Sequence, residues 1–111
     1  MKPITTVYAV FRGPEEAERI GLAMVEQRLA ACVNILGPCR SIYRWHGKVE
    51  QAQEVAALFK TGADRAPALI EAIAAMHSYE VPAAVAWPIA EAAGDYAAWV
   101  GEQSAAADEM S

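Results

Sequence analysis

The sequence predicts an α+β chain of the split βαβ, or ferredoxin-like, class: βαββαβ plus a C-terminal helix. Three observations predict it. Four segments rich in β-branched and aromatic residues recur along the chain. Two longer apolar helical segments separate them as one strand, two strands and one strand. A His-Gly pair divides the middle two strands in the manner of a hairpin turn. The 111 residues suit one domain, 1–111, with a single core. With 55% hydrophobic and 21% charged residues, the composition is that of a folded chain and not a disordered one.

ITTVYAVFR (4–12) reads as the first, central strand. Gly13 ends it and Pro14 opens a helix, where a missing N–H costs nothing. Glu15 and Glu16 favour the positive end of that helix's dipole. Ile20, Ala23, Met24, Gln27 and Ala31 follow a partial helical rhythm, and Leu22, Val25 and Leu29 widen the apolar face toward a sheet. The second strand runs from 30 to 45, with a kink or bulge expected at Gly37-Pro38. His46-Gly47 is the hairpin tip, because glycine at the second turn position is the strongest short-range hairpin signal and histidine tolerates positive φ. The third strand, VEQAQEVAALFKT, alternates at first and then becomes nearly continuous apolar, so it passes from an exposed to a buried setting.

ADRAPALIEAIAAMHS forms the second helix, with Asp64 as its N-cap and Pro67 early. Ala68, Ile70, Ile73, Ala74 and His77 mark one side, with Leu69 and Met76 widening it. YEVPAAVAWPIAEA holds a fourth strand whose two prolines, Pro82 and Pro88, suit an edge. GDYAAWVGEQ is the last helix, capped by Asp95 and packed onto the body through Tyr96 and Trp99. The tail, 103–111, is small and polar and is expected to fray.

Net charge is −5, and the nine basic residues are scattered, which argues against a nucleic-acid partner. No apolar stretch is long enough to span a bilayer, and the N-terminus lacks a signal-peptide pattern, so a cytoplasmic location is expected. Cys32 and Cys39 form neither a CxxC pair nor a zinc motif. Cys32 reads as a buried, inert thiol and Cys39 as the more exposed one. Tyr43 and Trp45, two apart, share a strand face, and their position on the hairpin marks it as an interface arm. There is no defensible Ser-His-Asp or Cys-His spacing, no phosphate-cradling glycine loop and no HExxH, so the chain does not read as an enzyme.

RLAACVNI, SIYRWHGKVE, EVAALFKT, ALIEAI, HSYEVPAAVAWPI and DYAAWV occur in this order. Together they resemble the divalent-cation tolerance family, CutA, over nearly the whole chain. The resemblance implies a homotrimer whose hairpin arms extend neighbouring sheets, and a link to tolerance of copper and other divalent cations. It implies Cu(II) or another divalent cation as the bound metal, or a small ligand at intersubunit clefts. It makes His77 the candidate metal ligand. The family's other two ligand positions hold Phe11, which cannot ligate, and Met76, a soft thioether better matched to Cu(I).

His77 can equally stabilise the C-terminus of the second helix. Trp45, Glu54, Lys60, Tyr79 and Glu80 match family motifs and are the candidate cleft residues. Glu54 and Lys60 share strand parity and so face one side, as a small-anion pocket or a register-setting pair. Glu80 has Lys60, Lys48 or an arginine as potential partners. The competing reading is a structural or signalling interaction trimer with no metal role, engaging an unidentified protein or small molecule.

Overall fold

The computed structural model describes residues 2–106. The elements are β1 (Ile4–Phe11), α1 (Pro14–Glu26), β2 (Cys32–Trp45), β3 (Lys48–Gly62), a 3-10 turn (Ala63–Arg65), α2 (Ala66–Met76), β4 (Ala84–Pro88) and α3 (Gly94–Gln103). All four strands join one antiparallel sheet in the order β2-β3-β1-β4. This is the expected ferredoxin-like arrangement, with β1 central and proline-bearing β4 on an edge.

Odd-numbered residues of β1 and β3 meet α1 and α2. Val7, Ala9, Phe11, Val55, Ala57 and Phe59 form the main core with Ile20, Met24, Leu69 and Ile73. Gly21 lets α1 lie close to β2, for a Cβ there would come within 3.1 Å of Val33. Strand alternation sends Ile4 to the opposite face. There it packs with Ala97 and Val100 of α3, so α3 covers one end of the sheet's other side.

β2 and β3 outrun the rest of the sheet. β1 ends where Phe11 pairs with Val55, and residues 48–54 of β3 pair with β2 alone. The result is a two-stranded arm. It stretches the protomer to 50 × 26 × 22 Å and its radius of gyration to 14.7 Å, against about 13 Å for a compact domain of this length. The expected irregularity at Gly37-Pro38 is present as a register shift between Ile35 and Pro38. At the tip, His46 and Gly47 adopt φ of 50° and 78°, the two successive positive values that a type I′ hairpin turn demands.

Several local expectations need correction. Asp64 sits inside the 3-10 turn and Asp95 inside the first turn of α3, and neither helix has a side-chain cap bond. The dipole alone is enough to place an acidic residue in a first turn. Leu22 is exposed, because α1 buries the stripe Ala17, Ile20, Gly21 and Met24. Ala68 and Ala74 face outward while Leu69 and Ile73 are buried. Tyr96 and Trp99 stack on each other at the surface, and Ala97 and Val100 dock α3 instead. Cys32 is half-buried rather than buried, with Sγ 3.5 Å from the Tyr96 hydroxyl. Burial and that thiol push the Tyr96 hydroxyl up to about 12.

Within the expected tail, Ser104 is buried and its hydroxyl bridges Gly62 N–H and the Val100 carbonyl. Residues 107–111 of that tail lie outside the described residues. No described helix is long and apolar enough to cross a membrane.

Candidate functional site: a cleft at the base of the arm

Where the arm leaves the body, a cavity of about 570 Å³ opens between β3, β2 and the segment joining α2 to β4. Its position follows from the topology. β1 stops at Phe11, so beyond it the edge of β3 has no strand beside it and the arm leaves the sheet alone with β2. Glu54, the first β3 residue past that point, pairs with Cys39 and lines the cavity. Ser41, Tyr43 and Trp45 share its face from β2 by strand alternation. Tyr79, Glu80 and Val81 close it from the α2–β4 segment, and Arg12 and Arg44 add two cations.

The centre of the cleft is a hydrogen bond from the Tyr79 hydroxyl to Glu54 Oε2 at 2.6 Å. Burial and the Glu54 carboxylate both raise the Tyr79 pKa, so the phenol stays protonated and donates. The Arg12 guanidinium lies 5.9 Å from the Tyr79 ring centre, within cation–π range.

Behind the cleft a buried network fixes Tyr79. His77 follows the last residue of α2 and turns its ring inward, stacking on Phe11 at 5.1 Å between centroids. His77 Nε2 lies 2.7 Å from the Val10 carbonyl, which can only accept, so Nε2 carries the proton and donates. Nδ1 then accepts the Tyr79 N–H at 3.1 Å. Glu16 braces the same segment. Its Oε2 accepts the Ser78 N–H at 2.8 Å and its Oε1 the Arg12 N–H at 3.1 Å. Burial alone would raise the Glu16 pKa. The Ser78 and Arg12 hydrogen bonds outweigh it and hold the carboxyl below its ordinary value.

Of the candidates read from the sequence, Trp45, Glu54, Tyr79 and Glu80 meet in this one cavity. Lys60 does not. It shares the face of Glu54 but lies six strand residues away, about 20 Å, and its Nζ donates to Asn34 Oδ1. Lys60 therefore pairs neither with Glu54 nor with Glu80. Sequence reasoning missed Arg12 and Arg44 as cleft residues, and it assigned Glu16 only a dipole role. The four-residue spacing of Arg12 and Glu16 across a helix start was the available signal for the Glu16 brace.

A metal centre is a poor fit to one protomer. Both ring nitrogens of His77 are engaged and its side chain is sealed from solvent. Phe11 occupies the space against its ring, and Met76 packs on the core. Among the described residues no three His, Cys, Asp or Glu side chains cluster as a ligand set.

Comparison with known proteins agrees with the fold and the motifs. A family profile described as CutA1 divalent ion tolerance protein matches residues 5–103. The chain belongs to the CutA1 family. It is 48% identical over 90 residues to the divalent-cation tolerance protein CutA of Thermus thermophilus, covering 81% of this chain and 87% of that one. It is 36% identical over 97 residues to protein CutA of Homo sapiens, covering 87% of this chain but only 54% of the longer human protein. The solved Thermus thermophilus CutA1 structure superimposes with a TM-score of 0.88 at 43% identity, covering 92% of this chain and 99% of that one. A structure from Archaeoglobus fulgidus, described as a periplasmic divalent cation tolerance protein CutA, matches with a TM-score of 0.89 at 36% identity, covering 92% and 99%.

Proposed function

We propose that this CutA1 family member is a homotrimeric cytoplasmic binding protein, not an enzyme, that serves divalent-cation tolerance through small-ligand clefts at its subunit junctions. The observation that carries the reading is the Glu54–Tyr79 pair, set in an aromatic-walled cavity at the root of an otherwise uncovered arm. A two-stranded ribbon is marginal in water by itself. Ile42 and Val49 on one arm face, and Tyr43 and Trp45 on the other, all remain exposed in the protomer. Neighbouring subunits of a trimer supply the missing cover for the arm and a further wall for each cleft. Trp45, Glu54, Tyr79 and Glu80 are the ligand-facing residues, and His77 and Glu16 position Tyr79.

A resident Cu(II) has little support in the protomer's own donors, so copper enters this reading as what the protein protects against rather than as its cofactor. The exposed arm also favours a second reading, a trimer that docks a protein partner and has no metal role.

Native mass spectrometry with and without copper(II), on the wild type and His77→Ala, tests the assignment. The expected result is a trimer whose mass is unchanged by copper. A trimer that takes up stoichiometric copper only when His77 is present would replace the small-ligand reading with a metal site. A monomer would remove the intersubunit cleft altogether. Cell fractionation checks the location, with the protein expected in the cytoplasmic fraction.

A further inference from the structure

Glu54 commits only one of its two carboxylate oxygens to the fold. Oε2 accepts the Tyr79 hydroxyl at 2.6 Å, whereas Oε1 has no hydrogen-bond partner among the described residues. No described side-chain oxygen or nitrogen sealed from solvent lacks a partner, so Oε1 opens on the cavity that Glu54 lines. The residue is only 7% exposed. Oε1 is nonetheless an acceptor that a donor entering the cavity can reach.

The complementary donor is an ammonium. Tyr79 lies beside it, and Tyr43 and then Trp45 line the same cavity farther along the arm, aromatic surface that suits either an ammonium or the apolar body attached to one. A simple amine meets an obstacle, because Arg12 and Arg44 line the same cavity and would repel a second cation. Neither arginine is in an ion pair among the described residues. Both are solvent-exposed and share the cavity with Glu80, so they offer donors to a ligand acceptor beside the acceptor that Glu54 offers to a ligand donor. One molecule answers both if it carries an ammonium at one position and a carboxylate at another.

We propose that the cleft binds a small zwitterion, a free α-amino acid with an apolar or aromatic side chain. Its ammonium sits on Glu54 Oε1, its carboxylate on Arg12 or Arg44, and its side chain along the aromatic wall toward Tyr43. The cavity, about 570 Å³, is of the size that small-molecule sites occupy. This rests on the small-ligand reading given above and specifies its ligand.

The test is calorimetric titration of the full chain with L-phenylalanine and with its two half-matched analogues. Phenethylamine lacks the carboxylate and 3-phenylpropionate lacks the ammonium. Light scattering on the same samples gives the assembly state. L-phenylalanine should bind at least about tenfold tighter than either analogue, the effect of one charge-assisted pair. Glu54→Gln keeps an oxygen for Tyr79 but removes the charge. It should weaken L-phenylalanine and phenethylamine about tenfold or more and leave 3-phenylpropionate no weaker, since a like charge has been removed beside it. A urea-unfolding midpoint of Glu54→Gln equal to that of the wild type separates loss of the ammonium site from loss of the fold. A trimer that binds an analogue as tightly as the amino acid, or binds none of the three, overturns the zwitterion and leaves the cleft reading standing. A monomer that binds none overturns both.

Discussion

The two halves of β3 lie in one continuous strand and live under different rules. From Val55 to Gly62 it has β1 on one side, β2 on the other and helices on its face, and its odd residues are buried. From Lys48 to Glu54 it has only β2, and nearly every side chain faces open space. The first half is held by the protomer's own packing. The second is held by a hairpin turn, cross-strand pairs and whatever lies beyond the protomer. Glu54 is the joint between them, and the cavity it lines opens where β1 stops.

The comparison breaks most visibly in the body. Phe59 is fully buried against Phe11. Phe59→Ala should cost about 3–5 kcal/mol in urea unfolding, the range for an aromatic cavity. If the loss were instead under about 1 kcal/mol, the body would not be the self-sufficient half.

The arm should respond in a different observable. Trp45 is 38% exposed in the protomer, so Trp45→Ala removes little intramolecular packing. If neighbouring subunits cover it, the loss should appear as weaker assembly, on the order of 2 kcal/mol as for an aromatic anchor. Light scattering over a dilution series measures it. An unchanged dissociation profile would mean that the arm is not an assembly element.

The same divide explains what was legible in the sequence. The body's elements announce themselves through β-branched runs, Pro14 at a helix start and prolines on an edge strand, because local sterics decide these. The Gly37-Pro38 irregularity and the His46-Gly47 turn were legible for the same reason. Cap assignments at Asp64 and Asp95 went astray because a first-turn acid and a true N-cap look alike in sequence. Tyr96 and Trp99 read as packing residues yet lie at the surface, because aromatic character alone does not say which helix face is docked. At the site, Trp45, Glu54, Tyr79 and Glu80 came together through family motifs. Lys60 did not join them, since equal parity on a long strand fixes the side but not the distance. The Glu16–Ser78 bond joins residues 62 positions apart, and no local pattern encodes that.

Glu16 links the two regimes, because it belongs to the body yet holds the segment that carries Tyr79. Its pKa is depressed in the fold, so its contribution to stability is complete above the unfolded value, about 4.3. That contribution fades as pH falls through the lower folded value. Glu16→Gln should therefore cost about 1–3 kcal/mol at neutral pH. The gap between variant and wild type should close in acid, as followed by urea unfolding from pH 7 to pH 3. A gap that stayed constant over this range would mean that the carboxylate charge is not what braces Ser78 and Arg12.

The smallest effects belong to the arm's tip, and there the two substitutions should differ in sign. Gly47 has φ of 78° and nothing within 4 Å of where a Cβ would sit. Gly47→Ala is thus a pure backbone test, and it should cost about 1 kcal/mol for forcing an L-residue into the left-handed region. His46, at φ 50°, already bears that strain, and its ring meets Trp45 edge-on at 4.8 Å. Asparagine is the residue that type I′ turns prefer at this position. His46→Asn should therefore gain a few tenths of a kcal/mol from the turn, less whatever the Trp45 contact contributes. If His46→Asn destabilises the assembled protein while Gly47→Ala behaves as expected, the histidine is held at the tip for its ring and not for its backbone. The arm would then carry a contact of its own at its end, and the contrast between a packed body and a merely templated arm would have to be redrawn.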